Sequence, residues 1–185
     1  MPRVRRAVVL LAVLLAGAAL LRTNLTPALA AAEEVRGLWV QRTSLASPAT
    51  IAAMVDAARD GGFNTLLVQV RGRGEAFYES DIEPRATELD AEPASFDPLA
   101  TTLELAHKSG LRVHAWINVN LVASAATLPR SHSHVVFRHP EWLMVPSALA
   151  SALHDVDPQS PEYVAALARW TRSMSSQVEG LYLSP

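Results

Sequence analysis

Apolar residues recur along this chain in two periods, and proline and glycine mark where one period gives way to the other. After Ser47-Pro48, Ile51, Met54, Val55 and Ala58 repeat at helical spacing until Gly61-Gly62. After Asp97-Pro98, Leu99, Leu103 and Ala106 do the same until Gly110, and after Ser160-Pro161, so do Val164, Leu167, Thr171 and Met174. Each helix is entered through an oxygen-bearing N-cap and a proline whose fixed φ suits the first turn. Four short apolar runs surround these helices: GLWVQ (37–41), FNTLLVQV (63–70), LRVHAWIN (111–118) and GLYLS (180–184). The order β-α-β-α-β-α-β predicts an α/β fold with parallel strands.

Period two sorts the strand faces. In the second run Leu66, Val68 and Val70 share an aliphatic face, whereas Thr65, Leu67, Gln69 and Arg71 share the other. In the third, Val113, Ala115 and Ile117 oppose His114, Trp116 and Asn118. One face suits covering helices. The other grows more polar toward the strand's C-terminal end, as the interior of a (β/α)8 TIM-type barrel does below its active-site mouth. A doubly wound sheet, apolar on both faces, fits less well. A full barrel has eight units and about 250 residues, so residues 31–185 read as roughly its first half, β1 to β4. The expectation is a fragment, or a half that requires a partner. Long connections after the second and third strands (71–96 and 119–159), set against tight helix-to-strand returns, mark the functional rim.

Composition changes the picture at the N-terminus. Arg3, Arg5 and Arg6 precede the run AVVLLAVLLAGAALL, and Ala28-Leu29-Ala30 offers small residues for cleavage. Residues 1–30 are therefore read as a secretory signal peptide. The run is shorter than the roughly 20 residues of a spanning helix, which leaves no stable membrane anchor after cleavage. The expected location is secreted or periplasmic. Four of the sixteen basic residues lie in this leader, leaving twelve against eighteen acidic ones, a net charge of −6. That balance argues against a nucleic-acid partner. The absence of cysteine excludes disulfides and thiol chemistry.

The candidate chemistry lies on the two long connections. Arg71, in period with Gln69, is either paired with a carboxylate or aimed at ligand oxygens; guanidinium suits both. Trp116 either stacks on a sugar or fills the interior, and Asn118 offers a donor and an acceptor to a hydroxyl. Carboxylates on this rim are Glu75, Glu79, Asp81, Glu83, Glu88, Asp90, Glu92, Glu141, Asp155 and Asp157. None falls on a predicted strand end, and the ordinary reading of each is a solvated loop residue; Asp97 reads as a helix cap. Gly72-Arg73-Gly74 lacks the third glycine and helix start of a phosphate loop. His132, His134 and His139 invite a metal, but without a firm third ligand they read as solvent-exposed, and no metal or cofactor is expected. Ser44 and Ser184 have no positioned histidine to make either a nucleophile.

The strings RGLWV (36–40), GFNTLLVQVRGRGEAFYES (62–80), IEP (82–84), FDPLA (96–100), AHKSGLRVHAWINV (106–119), HPEW (139–142) and DPQSPEY (157–163) resemble, in order, the glycosyl-hydrolase-like family 10 proteins. The resemblance runs from about Arg36 to the C-terminus. It implies a (β/α)8 barrel and an exported enzyme hydrolysing O-glycosidic bonds of a polysaccharide; some relatives act on peptidoglycan glycan strands stripped of peptide. It also implies substrate-binding roles for Arg71, Arg73 and Tyr78 after the second strand, and for Trp116 and Asn118 after the third. The fourth strand departs from the family's pattern, of the form DGIHFDDY. Here it reads Glu179-Gly180-Leu181-Tyr182-Leu183-Ser184-Pro185, with Ser184 where the first inner aspartate is expected. A carbohydrate-binding protein without hydrolytic activity is the alternative this implies.

The intact mass of the natural exported protein tests the leader. A mass lacking residues 1–30 is the expected result, and a retained leader would indicate an anchor.

Overall fold

In a computed structural model, the structure describes residues 34–174 and 180–184. The leader at 1–30 and Glu179 lie outside the described residues. Strand β1 (Gly37–Val40) is followed by a 3-10 turn (Arg42–Leu45), helix α1 (Pro48–Asp60) and strand β2 (Thr65–Gly72). Next come a two-residue strand β3 (Glu75–Ala76), a 3-10 turn (Thr87–Leu89), helix α2 (Pro98–Lys108) and strand β4 (Arg112–Ile117). The third connection holds strand β5 (Leu121–Ser124), helix α3 (Val135–Arg138), a 3-10 turn (Pro140–Trp142) and helix α4 (Ser147–Leu153). Helix α5 (Pro161–Met174) and strand β6 (Gly180–Tyr182) complete the order.

The helices begin where their capping chemistry requires. The Ser47 hydroxyl accepts the Thr50 N–H at 3.2 Å while the Thr50 hydroxyl oxygen accepts the Ser47 N–H at 3.0 Å, a reciprocal capping box. Asp97 caps α2 by accepting the Ala100 N–H at 2.9 Å, the role its sequence context predicts. The Ser160 hydroxyl accepts the Tyr163 N–H at 3.2 Å. Helix α1 buries Ile51, Val55 and Ala58. Helix α2 turns a slightly different face inward, centred on Thr102 and Ala106. Thr102 tolerates burial because its hydroxyl donates to the Pro98 carbonyl at 2.7 Å.

Strands β1 and β4 flank β2 in parallel, Gly37–Val40 lying opposite Thr65–Val68 and Arg112–Trp116 opposite Thr65–Gln69. Leu66, Val68 and Val70 of β2 are fully or nearly fully buried against α1 and α2 in one core. The opposite face carries Trp39, Leu67, Gln69, His114 and Trp116, and Trp39 stays 63% exposed. A second core gathers Val122, Val136, Phe137, Tyr163, Leu167 and Leu181.

Two features correct the sequence reading. The fourth strand forms, but it pairs antiparallel with β5 (Leu121↔Tyr182, Ser124↔Gly180) and not beside β4. Strand β5, hidden in the long connection, offers β6 an edge, and the pair buries Val122 and Leu181 with Leu167 of α5. The second feature is a bulge in β2: Gln69 opposes Trp116, yet Arg71 opposes the very next residue, Ile117. One extra residue in β2 therefore breaks strict alternation before Arg71 is reached.

Beyond the bulge, β2 reverses into β3 through Arg73-Gly74, with Gly72 facing Glu75 and Arg71 facing Ala76. Both turn residues have positive φ, 59° and 70°. That is the two-residue turn whose twist matches paired strands, and it favours Asn, Asp or Gly. His134 holds it in place. Fully buried, its Nε2–H donates to the Arg73 carbonyl at 2.8 Å, and its Nδ1 accepts the Val136 N–H at 3.2 Å. This histidine was expected in solvent; it is buried because it bridges the two long connections, and burial lowers its pKa.

A Cβ at position 74 would stand 2.6 Å from His134 Nε2, whereas one at Gly62, also at positive φ, meets nothing within 4 Å. Gly74→Ala is expected to lose about 2–4 kcal/mol in denaturant unfolding, from left-handed strain plus overpacking. Gly62→Ala is expected to lose about 1–2 kcal/mol, from strain alone.

Candidate functional site

The two long connections meet over the end of β2, joined by His134, and enclose a cavity of about 150 Å³. Arg73, Glu75, Thr87 and Glu88 form one wall, and Ser124 and Arg130 stand on the other. The volume admits several waters or one polar group of a larger ligand.

Glu75 is the chemically distinctive residue of this cavity. It lies on β3 directly after the left-handed turn and is only 8% exposed. Burial raises its carboxyl from 4.5 to about 7, and the negative Glu88 adds to the rise. The Thr87 backbone N–H, Arg42 and Arg73 oppose it without cancelling it. The result is a carboxylic acid that keeps a substantial protonated fraction up to neutral pH and is able to donate a proton.

Glu88 differs from it in having a cationic partner. Its Oε1 accepts from Arg42 Nε at 3.1 Å, while its Oε2 is buried without a hydrogen-bond partner. Arg42 reaches it across Gly72, where a Cβ would stand 2.9 Å from Arg42 Cδ. Arg42 is itself positioned by β2, its N–H donating to the Gln69 side chain at 3.3 Å. Two carboxyl groups in one cavity therefore sit in opposed environments, one desolvated and one ion-paired. That is the arrangement by which acid and base roles are separated.

The five residues expected at a sugar-binding mouth are distributed among several environments. Arg71 is paired with a carboxylate: its Nε lies 2.7 Å from both Glu83 oxygens and its Nη2 2.5 Å from one. Its Nη1 donates to the Asn118 and Val119 carbonyls. It ties the end of β2 to the chain leaving β4. Asn118 joins this tie through its backbone, its N–H donating to the Arg71 carbonyl at 3.2 Å. Trp116 packs edge-on against Trp39, with ring centroids 5.1 Å apart and planes at 89°. Tyr78 packs at the margin of the first core and lines a separate cleft of about 400 Å³ with Arg85 and Phe96. Of the five, only Arg73 lines the Glu75 cavity. The other two histidines act locally: His139 stacks on Trp142 at 3.8 Å, and His132 leans on Phe137 at 5.8 Å.

Sequence reasoning left Glu75 among ten loop carboxylates. The signal that finds it is Arg73-Gly74 read as a two-residue hairpin turn, which makes Glu75 a strand residue facing Gly72. Arg42 carries no comparable signal, since its approach to Glu88 depends on contacts between residues 46 apart.

The raised carboxyl has a consequence for stability. The native state holds the Glu75 proton more tightly than the unfolded chain, so the penalty of burying this group is absent below pH 4.5. It grows as pH rises and is complete above about 7. Glu75→Gln, neutral throughout, is expected to match the parent at pH 4. At pH 8 it is expected to be more stable by on the order of 2 kcal/mol, allowing for partial solvation in the cavity. Thermal or urea unfolding at the two pH values measures this.

Comparison with known proteins agrees with the resemblance in the strand motifs. The family model described as Glycosyl hydrolase-like 10 matches residues 34–168. Glycosyl hydrolase YngK of Bacillus subtilis (strain 168) is 30% identical over 95 residues, covering 49% of this chain and 19% of that protein. Glycosyl hydrolase DigH of Escherichia coli (strain K12) is 30% identical over 134 residues, covering 65% of this chain and 29% of that protein. The chain thus spans less than a third of the length of these curated relatives. With a family match over most of its length, this mixed α/β chain belongs to the glycosyl hydrolase-like 10 family.

Proposed function

We propose that the protein carrying this chain is an exported glycosidase that hydrolyses O-glycosidic bonds of a polysaccharide, with peptidoglycan glycan strands as the favoured substrate. In this reading β1, β2 and β4 are consecutive strands of a (β/α)8 barrel, and the cavity lies at the C-terminal end of β2, where such barrels hold their chemistry. Residues 1–30 serve as the export signal, and the protein works outside the cytoplasm.

The observation that carries the proposal is the buried Glu75, protonated up to about pH 7 beside the Arg42-paired Glu88. Glycoside hydrolysis requires an acid to protonate the departing oxygen and a second carboxylate to act as base or nucleophile. Glu75 takes the first role and Glu88 the second. Arg42 balances the charge of Glu88 and so keeps the pair distinct. Arg71, bound up with Glu83, acts as a strut that fixes the hairpin; its role toward substrate is indirect. Trp39 and Trp116 offer aromatic surface on the sheet's open face for sugar stacking.

A second reading, a carbohydrate-binding protein without hydrolysis, draws on Ser184. It stands where the family pattern has an aspartate, and its backbone N–H donates to the Trp142 carbonyl at 2.7 Å.

Release of reducing ends from peptide-free glycan strands separates these readings. The glycosidase reading expects turnover whose rate falls on a basic limb near pH 7, and at least a 10²-fold loss of kcat in Glu75→Gln. Turnover unchanged in that variant removes Glu75 from the acid role. Binding without turnover by the unaltered protein favours the second reading.

A further inference from the structure

We propose that Arg73 forms an anion subsite in the wall of the Glu75 cavity and takes a carboxylate borne by the glycan. The proposal rests on the glycan reading above and adds a chemical class to it: an acidic sugar unit is preferred over a neutral one.

The first observation is conformational. Arg73 is the one non-glycine residue with positive φ among the described residues. The first position of this turn favours Asn, Asp or Gly, and a long cationic side chain there is strained. The surroundings enforce the strain: buried His134 grips the Arg73 carbonyl, and the next residue is the glycine that His134 would otherwise strike. Strain held in place by its neighbours points to a use for the side chain.

The second observation concerns pairing. Arg42 is engaged by Glu88, Arg71 by Glu83, Arg85 by two carbonyls and Arg130 by Asp90. Arg73 lines the cavity, and its guanidinium has no hydrogen-bond or ion-pair partner among the described residues. Its positive charge nevertheless acts on Glu75. With Arg42 and Glu88 cancelling and Arg130 and Asp90 cancelling, Arg73 leaves the cavity with an uncompensated positive charge at any pH below about 7, where Glu75 holds its proton. A guanidinium is a planar fork that matches a carboxylate in two parallel hydrogen bonds. An anion bound there also offsets the Arg73 charge, which together with that of Arg42 favours ionised Glu75, so an acidic substrate keeps the acid protonated to higher pH.

Two glycan probes and one variant test this. The probes are peptide-free glycan strands, which carry lactyl carboxylates, and the same strands with those carboxylates reduced to alcohols. The unaltered protein is expected to bind the native strands about tenfold more tightly, the effect of one charge-assisted pair, and to lose that margin at high salt. Arg73→Asn is expected to bind both probes alike, at the level of the reduced strands, while its thermal midpoint rises because the turn now holds a favoured residue. A variant that discriminates as well as the parent overturns the proposal, as does a parent that binds both probes equally; the glycan reading survives either result. Failure of the parent to bind either probe overturns both readings together. A bound variant whose midpoint falls would overturn the inference from strain.

Discussion

The candidate site in this structure depends on a reversal of the chain within two residues, Arg73 and Gly74, at the end of the central strand. Without it, residues 75 and 76 would continue outward into solvent. With it, Glu75 folds back beside Gly72 and is buried. The reversal is costly for the chain, because arginine disfavours the left-handed region. It persists because the His134 ring caps it from a segment some sixty residues away in sequence. A local conformational choice and a long-range hydrogen bond are thus mutually dependent.

The chemistry inherits that dependence. A carboxyl group in water at this position would ionise at its ordinary pH; buried between two loop excursions and facing Glu88, it retains its proton into the neutral range. Glu88 is kept distinct by Arg42, which can reach it because Gly72 has no side chain to block the path. Three small features, a left-handed turn, a missing Cβ and a buried histidine, therefore generate the contrast between the two carboxyl groups. This contrast is the chemical feature on which the proposed hydrolysis rests.

Beneath the site the fold is conventional. Aliphatic side chains of β2 lie under α1 and α2, and capped helix starts fix where each helix begins. Arg71 marks the boundary between core and rim. The bulge displaces it from strict alternation, and its bonds to Glu83 and to the carbonyls after β4 bind the ends of two neighbouring strands and the loop between them into one rigid edge. The Trp39–Trp116 pair spans β2 on the open face, leaving that face aromatic beside a polar rim.

The amino-acid sequence by itself determined helices α1, α2 and α5 and the parallel core, because capping, prolines and periodic burial act over a few residues and leave their signature in order along the chain; helices α3 and α4, in the long third connection, carry no such signature. It also determined the family, through motifs distributed from Arg36 onward. Tertiary structure alone decided the partner of the fourth strand, the burial of His134, the capture of Arg71 by Glu83 and the pairing of Arg42 with Glu88. Each of these depends on which long connection packs against which, and the energy of such a contact resides in neither segment alone. Glu75 lies between the two cases: its turn was legible at Arg73-Gly74, but its raised pKa arises from burial, and burial exists only once the second connection has closed over the first.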